Sequence, residues 1–329
     1  MGTLDFFKKK FTNTSVQSCK YLCSSLIFDY QNNVKFCPYK NDFIFQKNFD
    51  GIWLDVQALN QKREQLIKDY SKGTYSTLCD ECSFKTTKSI VEKKSIDYLI
   101  LSNWKYCYLN CSYCKSPKEE DLVKVNHYDV YNAFLQLVDA GVVTQKTKII
   151  FDSGDATVHP EFDKIMYHLI NAGFENIVVN TPAMRYCESI SEAISKNICE
   201  LVVSFDCGCP YIYERVKGFN KFDMATANIK RYLSFQLPSE KRVVLKYTLV
   251  NGVNDNQKEI LDWFMYARDL GVKKLAFDID DSWYNQIQNF VPQYLKDLFV
   301  FVKNISLYNN IEIVFSDKID VLYKSIKEN

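Results

Sequence analysis

From Ser95 onward the chain repeats one pattern: an apolar run, a short loop and a stretch of helical periodicity. The apolar runs span 97–103, 146–152, 176–181, 200–206, 242–250, 273–280 and 311–315 and are dense in Val, Ile and Leu. Strands that read this way are buried on both faces, and strands alternating with helices pair in parallel through right-handed crossovers. Three of the intervening helical stretches end at Gly141, Gly173 and Gly271, where a glycine C-cap is expected. Six to seven such units predict an α/β fold, a partial TIM-like β/α barrel rather than a closed eightfold one. In such barrels the chemistry sits at the C-terminal ends of the strands.

Composition narrows the function classes. Hydrophobic residues make up 47% and charged residues 25%, ordinary for a chain that buries a core. Forty-one basic against forty acidic residues leave a formal charge of +1, so no global field draws the protein to nucleic acid or acidic lipid. No window approaches the roughly 18 apolar residues of a transmembrane helix. The opening MGTLDFFKKKFTNT has apolar and basic residues in the wrong order for a signal peptide, and Gly2 lacks the Ser or Thr of a myristoylation motif. A cytoplasmic protein is expected.

Twelve cysteines in a reducing compartment point to metal ligation, catalysis or burial rather than disulfides. Five of them (Cys19, Cys23, Cys37, Cys79, Cys82) fall before residue 92. There the pattern is weaker: SSLIFDY and NDFIFQ flank QNNVKFC as a hairpin or strand pair, and a helix is expected from Asp55 to Tyr70. A segment with so few apolar elements needs a staple, which the thiols can supply. The expected division is a small cysteine-rich domain over 1–92 and the barrel over 93–329, with a C-terminal strand and helix.

The loop after the first barrel strand reads WKYCYLNCSYCKSP. Cys107, Cys111 and Cys114 form C-x-x-x-C-x-x-C, with Tyr113 before the third. Three thiolates can hold three corners of a 4Fe–4S cluster and leave one iron open, whereas a structural zinc site or a closed cluster takes four ligands. The bland alternative is a zinc knuckle.

This loop, at this place in the fold, resembles the radical S-adenosylmethionine superfamily, and the likeness runs from residue 95 to about 280. The resemblance implies that Cys107, Cys111 and Cys114 ligate a 4Fe–4S cluster whose open iron is chelated by the amino and carboxylate groups of S-adenosylmethionine. One electron from the cluster then cleaves the sulfonium C–S bond, and the 5′-deoxyadenosyl radical abstracts hydrogen from substrate. Tyr113 would lie by the adenine. FDSGDATVHPEF resembles the family's G-G-E-P segment, with Ser153, Gly154, Asp155 and Ala156 at its four positions and the methionine ammonium as its expected ligand. Asn180 and Thr181 after the third strand, and Ser204 and Asp206 after the fourth, would approach the cofactor and its ribose. Arg215 could hold a carboxylate, and Lys246 and Asn251 close the fifth strand.

The amino-terminal cysteine order resembles the auxiliary-cluster domains called SPASM or twitch, which implies a second iron–sulfur cluster. Cys23, Cys37, Cys79 and Cys82 are its expected ligands, with Cys19 as substitute; a zinc ribbon is the alternative. Cys187 and Cys199 read as packing residues. Cys207 and Cys209, at an active-site strand end, are candidates to donate a hydrogen atom or bind a metal near the substrate radical, or else are inert loop thiols. The expected function is a radical S-adenosylmethionine enzyme. Its substrate would be a peptide, sugar or other metabolite, with an external one-electron reductant and neither nucleic acid nor membrane as partner. The alternative is a metal-stapled, non-catalytic scaffold.

Overall fold

The structure, a computed structural model, describes residues 18–19, 21–22, 24–38, 43–72, 79, 85–86, 94–114, 130–288 and 290–327. The amino-terminal part contributes β1 (Ser18–Cys19), β2 (Ser25–Asp29), β3 (Val34–Lys35), β4 (Ile44–Gln46), α1 (Val56–Ser71) and β5 (Lys85–Thr86). Strand and helix then alternate: β6 (Tyr98–Ser102), α2 (Tyr131–Asp139), β7 (Lys148–Phe151), α3 (Phe162–Asn171), β8 (Ile177–Thr181), α4 (Glu188–Ser195) and β9 (Cys199–Ser204). Two helices follow, α5 (Pro210–Lys217) and α6 (Phe222–Leu233), before β10 (Val243–Leu249), α7 (Gln257–Asp269) and β11 (Lys274–Ile279). The described chain closes with α8 (Asp281–Ile287), α9 (Gln293–Asn309), β12 (Glu312–Phe315) and α10 (Asp317–Lys327).

The strands β6 to β12 lie side by side in chain order, each parallel to the next. This is the expected α/β architecture of a partial barrel, and the sheet stays open, with β12 at one end and β4 at the other. Local chemistry sets the element ends. Gly141 follows α2 at φ +68°, with Val142 N–H donating to Leu137 O (2.9 Å) and Gly141 N–H to Val138 O (2.9 Å), the paired bonds of a Schellman cap. The same pairing ends α3 at Gly173 and α7 at Gly271. Asn256 caps the start of α7 by accepting from Glu259 N–H at 3.1 Å. The outer helices cover the sheet with one continuous core, in which Trp263 of α7 packs its ring 4.8 Å from Tyr247 and 5.1 Å from Phe277.

The boundary expected near residue 92 does not separate two cores. Strand β2, buried along its whole length, pairs in parallel with β6 over five residues, from Ser25 opposite Tyr98 to Asp29 opposite Ser102. It is an eighth parallel strand, and β3 and β4 extend the same sheet in antiparallel fashion. Helix α1 is tied on as well: the buried Arg63 donates to Lys94 O (2.9 Å) and Ser95 O (3.0 Å), just before β6. Leu59, Ile67 and Tyr70 of α1 belong to the same apolar cluster as the barrel helices. The two expected strands, SSLIFDY and NDFIFQ, form as β2 and β4, but they do not pair directly: β3, inside the QNNVKFC connector, lies between them. The parallel pairing of β2 with β6 joins residues about 70 apart and leaves no local trace.

A fragment 93–329 therefore loses the neighbour of the strand that carries the cysteine loop. Expressed alone, it is expected to lack a cooperative urea transition and to be cleaved rapidly by trypsin, while the full chain unfolds in one transition. A fragment as protease-resistant as the full chain would restore the two-domain division.

Candidate active site

The C-terminal ends of β6 to β10 gather around one cavity of about 430 Å³, within the range of small-molecule sites. Cys107, Cys111 and Cys114 line it from the loop after β6, and Ser153 and Gly154 from the turn after β7. Asn180 and Thr181 of β8, Ser204 of β9 and Lys246 of β10 complete the wall, with Ser204 and Lys246 in register on neighbouring strands.

Three sets of contacts hold the cysteine loop. In the first, Asn110 N–H donates to Lys217 O (3.0 Å) and Ser112 N–H to Val216 O (2.8 Å), filling carbonyls that the end of α5 leaves without helical partners. Close approach here demands glycine at 218, where a Cβ would sit 2.6 Å from Asn110 O. In the second, Asp155 N–H donates to Tyr106 O (2.8 Å), and Gly154 presses so closely on the loop that a Cβ would lie 2.7 Å from the Lys105 carbonyl carbon. The third is a buried polar trio. Tyr113 Oη donates to Asp206 Oδ2 (2.7 Å), Lys217 Nζ lies 3.1 Å from Tyr113 Oη, and Lys217 and Asp206 form an ion pair with both side chains fully enclosed. Asp206 Oδ1 accepts from Thr248 N–H (2.7 Å), and its backbone carbonyl from Asn254 Nδ2 (3.0 Å).

The environment acts on the ionisable groups in opposite directions. Burial pushes the Cys107 thiol up to about 12, against the Leu109 N–H, with Asp155, Cys111 and Cys114 adding to the rise. Burial also raises Cys111, while the ammonium of Lys217 pulls it down. For Lys217 itself burial favours the neutral amine, but Asp206 and Tyr113 outweigh it and hold the ammonium well above its usual range.

The donor set fits the expected cluster. Three thiols surround one cavity, yet among the described residues no three His, Cys, Asp or Glu side chains are placed to hold a single metal ion.

Of the residues singled out in the sequence, Cys107, Cys111, Cys114, Tyr113, Ser153, Gly154, Asn180 and Ser204 line the cavity. Five others are placed elsewhere. Asp206 is fully buried, with both carboxylate oxygens engaged, so it faces the trio and not a ribose. Asp155 is fully buried under the Ser153–Gly154 turn, where its Oδ1 accepts from Thr157 Oγ1 (2.7 Å) and Thr181 Oγ1 (2.9 Å). Arg215 stands exposed on α5 with its guanidinium 5.9 Å from the Tyr211 ring, because two residues along a helix turn a side chain to the far side. Cys207 is buried against Phe205 O (3.4 Å), and Cys209 sits at the N-cap of α5; neither lines the cavity. Of the amino-terminal set, Cys19, Cys37 and Cys79 are buried and do not form a three-ligand group, while Cys23 and Cys82 lie outside the described residues.

Sequence reasoning missed Lys217. Its signal was available: Ile212, Tyr213 and Val216 mark the inner face of α5, and Lys217, four residues after Tyr213, shares it. It also missed Asp152 and Lys105, whose loop positions have no periodicity to read.

Residues 104–264, just under half of the chain, match the family model of the radical SAM superfamily. GTP 3′,8-cyclase of Haemophilus influenzae is 24% identical over 185 residues, 54% of each chain. GTP 3′,8-cyclase of Clostridium acetobutylicum is 23% identical over 181 residues, 55% of each. The chain thus spans about half the length of the curated relatives it matches. Streptococcus suis SuiB, in its structure bound to precursor peptide SuiA, shares the fold at TM-score 0.50 and 10% identity, over 90% of this chain and 72% of that one. No helix among the described residues is long and apolar enough to cross a membrane.

Lys217→Met leaves Asp206 buried without its cation, which is expected to cost about 3–5 kcal/mol in urea denaturation. Lys217→Met combined with Asp206→Asn should recover much of that loss. At the barrel mouth, Asp278 lies 4.0 Å from Lys246 and 3.2 Å from Lys318. Burial alone would raise its carboxyl, but the two ammonium groups prevail and hold it below the usual carboxylate range. A depressed folded value means the pair stabilises above the unfolded value of about 3.9 and stops doing so as pH falls through the folded value. Lys318→Met should therefore be less stable than wild type at pH 7, and the gap should close on acidification below about pH 4.

Proposed function

We propose that the protein is a radical S-adenosylmethionine enzyme in which Cys107, Cys111 and Cys114 hold a 4Fe–4S cluster by three corners. The observation that carries this reading is that the three thiols line one cavity with polar residues from four successive strand ends. When bound, the cluster and S-adenosylmethionine supply one-electron cleavage of a C–S bond and a carbon radical able to take hydrogen from substrate. The chain's own part is binding, orientation and exclusion of water. Ser204 and Asn180 present a hydroxyl and an amide suited to ribose hydroxyls, and Lys246 a cation suited to a carboxylate. The substrate is a peptide, sugar or other metabolite, and an external one-electron donor drives the cycle.

A second iron–sulfur cluster on the amino-terminal cysteines is part of the proposal. Its support is that Cys19 and Cys79 are both buried, and that β1 pairs with β5, setting Cys19 opposite Lys85, three residues beyond Cys82. The burial of Asp155 favours the alternative of a metal-stapled scaffold, since the carboxylate expected at the cofactor is turned inward. One experiment separates the readings. Anaerobic reconstitution should give a brown protein that releases 5′-deoxyadenosine from S-adenosylmethionine under dithionite, and the Cys107/Cys111/Cys114 triple Ala variant should lose that activity and about one cubane while keeping the other. A colourless, zinc-loaded protein with no cleavage would establish the scaffold.

A further inference from the structure

Building on the radical S-adenosylmethionine reading, we propose that Asp152, not Asp155, is the carboxylate that receives the amino group of the methionine moiety in this chain. The turn after β7 decides which acid reaches the cavity. Ser153 and Gly154 both take left-handed backbone conformations, at φ +71° and +55°, and this double reversal carries residue 155 beneath the turn and leaves residue 152 at its mouth. Asp152 is anchored by its backbone N–H to Leu101 O (3.0 Å), its side chain is exposed, and it is the one carboxylate among the described residues lining the cavity.

Asp155 is committed elsewhere. It caps the short helical turn Ala156–Val158, accepting from Thr157 N–H at 3.2 Å as well as from two threonine hydroxyls. Its second oxygen is buried without a hydrogen-bond partner and does not line the cavity. Burial also raises its carboxyl above the usual range, with the Thr157 and Thr181 hydrogen bonds opposing.

Charge balance points the same way. The cavity is lined by Lys105, Lys217 and Lys246, of which Lys217 is neutralised by Asp206 and Lys246 faces Asp278 at 4.0 Å. A ligand carrying both a sulfonium and an amino group needs a negative partner on the wall, and Asp152 is the one the described lining provides.

The test is equilibrium dialysis of anaerobically reconstituted protein with S-adenosylmethionine and with 5′-methylthioadenosine, which keeps the nucleoside and sulfur but has no amino acid. Iron and sulfide are counted in each sample. Asp152→Asn is expected to weaken S-adenosylmethionine about tenfold or more while changing 5′-methylthioadenosine by less than about twofold. Asp152→Glu should recover most of the loss. Asp155→Asn should bind S-adenosylmethionine nearly as wild type does while melting at lower temperature. Unchanged S-adenosylmethionine affinity in Asp152→Asn, at wild-type iron content, overturns the assignment, as does equal weakening of both ligands. A fully loaded wild type with no affinity for S-adenosylmethionine overturns the underlying reading instead.

Discussion

The enclosed ion pair between Lys217 and Asp206, with Tyr113 bonded to both, joins three parts of the chain that the sequence keeps far apart. Tyr113 belongs to the cysteine loop, Asp206 to the end of β9 and Lys217 to the end of α5. Breaking such a pair strands a charge in a low-dielectric interior, so the three parts are held together by the cost of separation more than by the strength of attraction. Asp206 reaches its position only with a left-handed backbone (φ +62°), which the hydrogen bonds from Thr248 and Asn254 sustain. The loop that carries Cys111 and Cys114 is thereby seated on α5 by contacts within the chain itself.

The sheet supplies the second constraint. Parallel strands in chain order place successive C-terminal ends side by side, so residues far apart in the chain converge on the cavity. Strand β2 adds to this from an unexpected direction. It covers the edge of β6 that would otherwise be open next to the cysteine loop, and Tyr30, just past its end, stacks under the ammonium of Lys105 at 4.2 Å. The amino-terminal segment therefore packs behind the loop that lines the site.

Much of this was legible in the residues. The apolar runs located β6 to β12 to within a few positions, although most of these strands alternate buried with half-buried residues and are not buried on both faces. The cysteine spacing pointed to the cavity because the strand end and the loop that lines it are contiguous in the chain. The expected site residues that do not line the cavity share one property. Asp155, Asp206, Arg215, Cys207 and Cys209 stand at or near the right strand ends, but the direction of each side chain depends on a turn conformation or a helix phase that residue identity does not reveal.

By itself, then, the sequence determined the alternating parallel architecture, the helix caps and the place of the cysteine loop, since all of these follow from periodicity and short-range chemistry. Tertiary structure alone decided that β2 joins β6, that Lys217 and Asp206 are buried as a pair, and that Asp152 faces the cavity while Asp155 does not. These outcomes rest on contacts between distant residues and on backbone reversals at single positions, and the free energies that select them arise only once the chain has closed around its core.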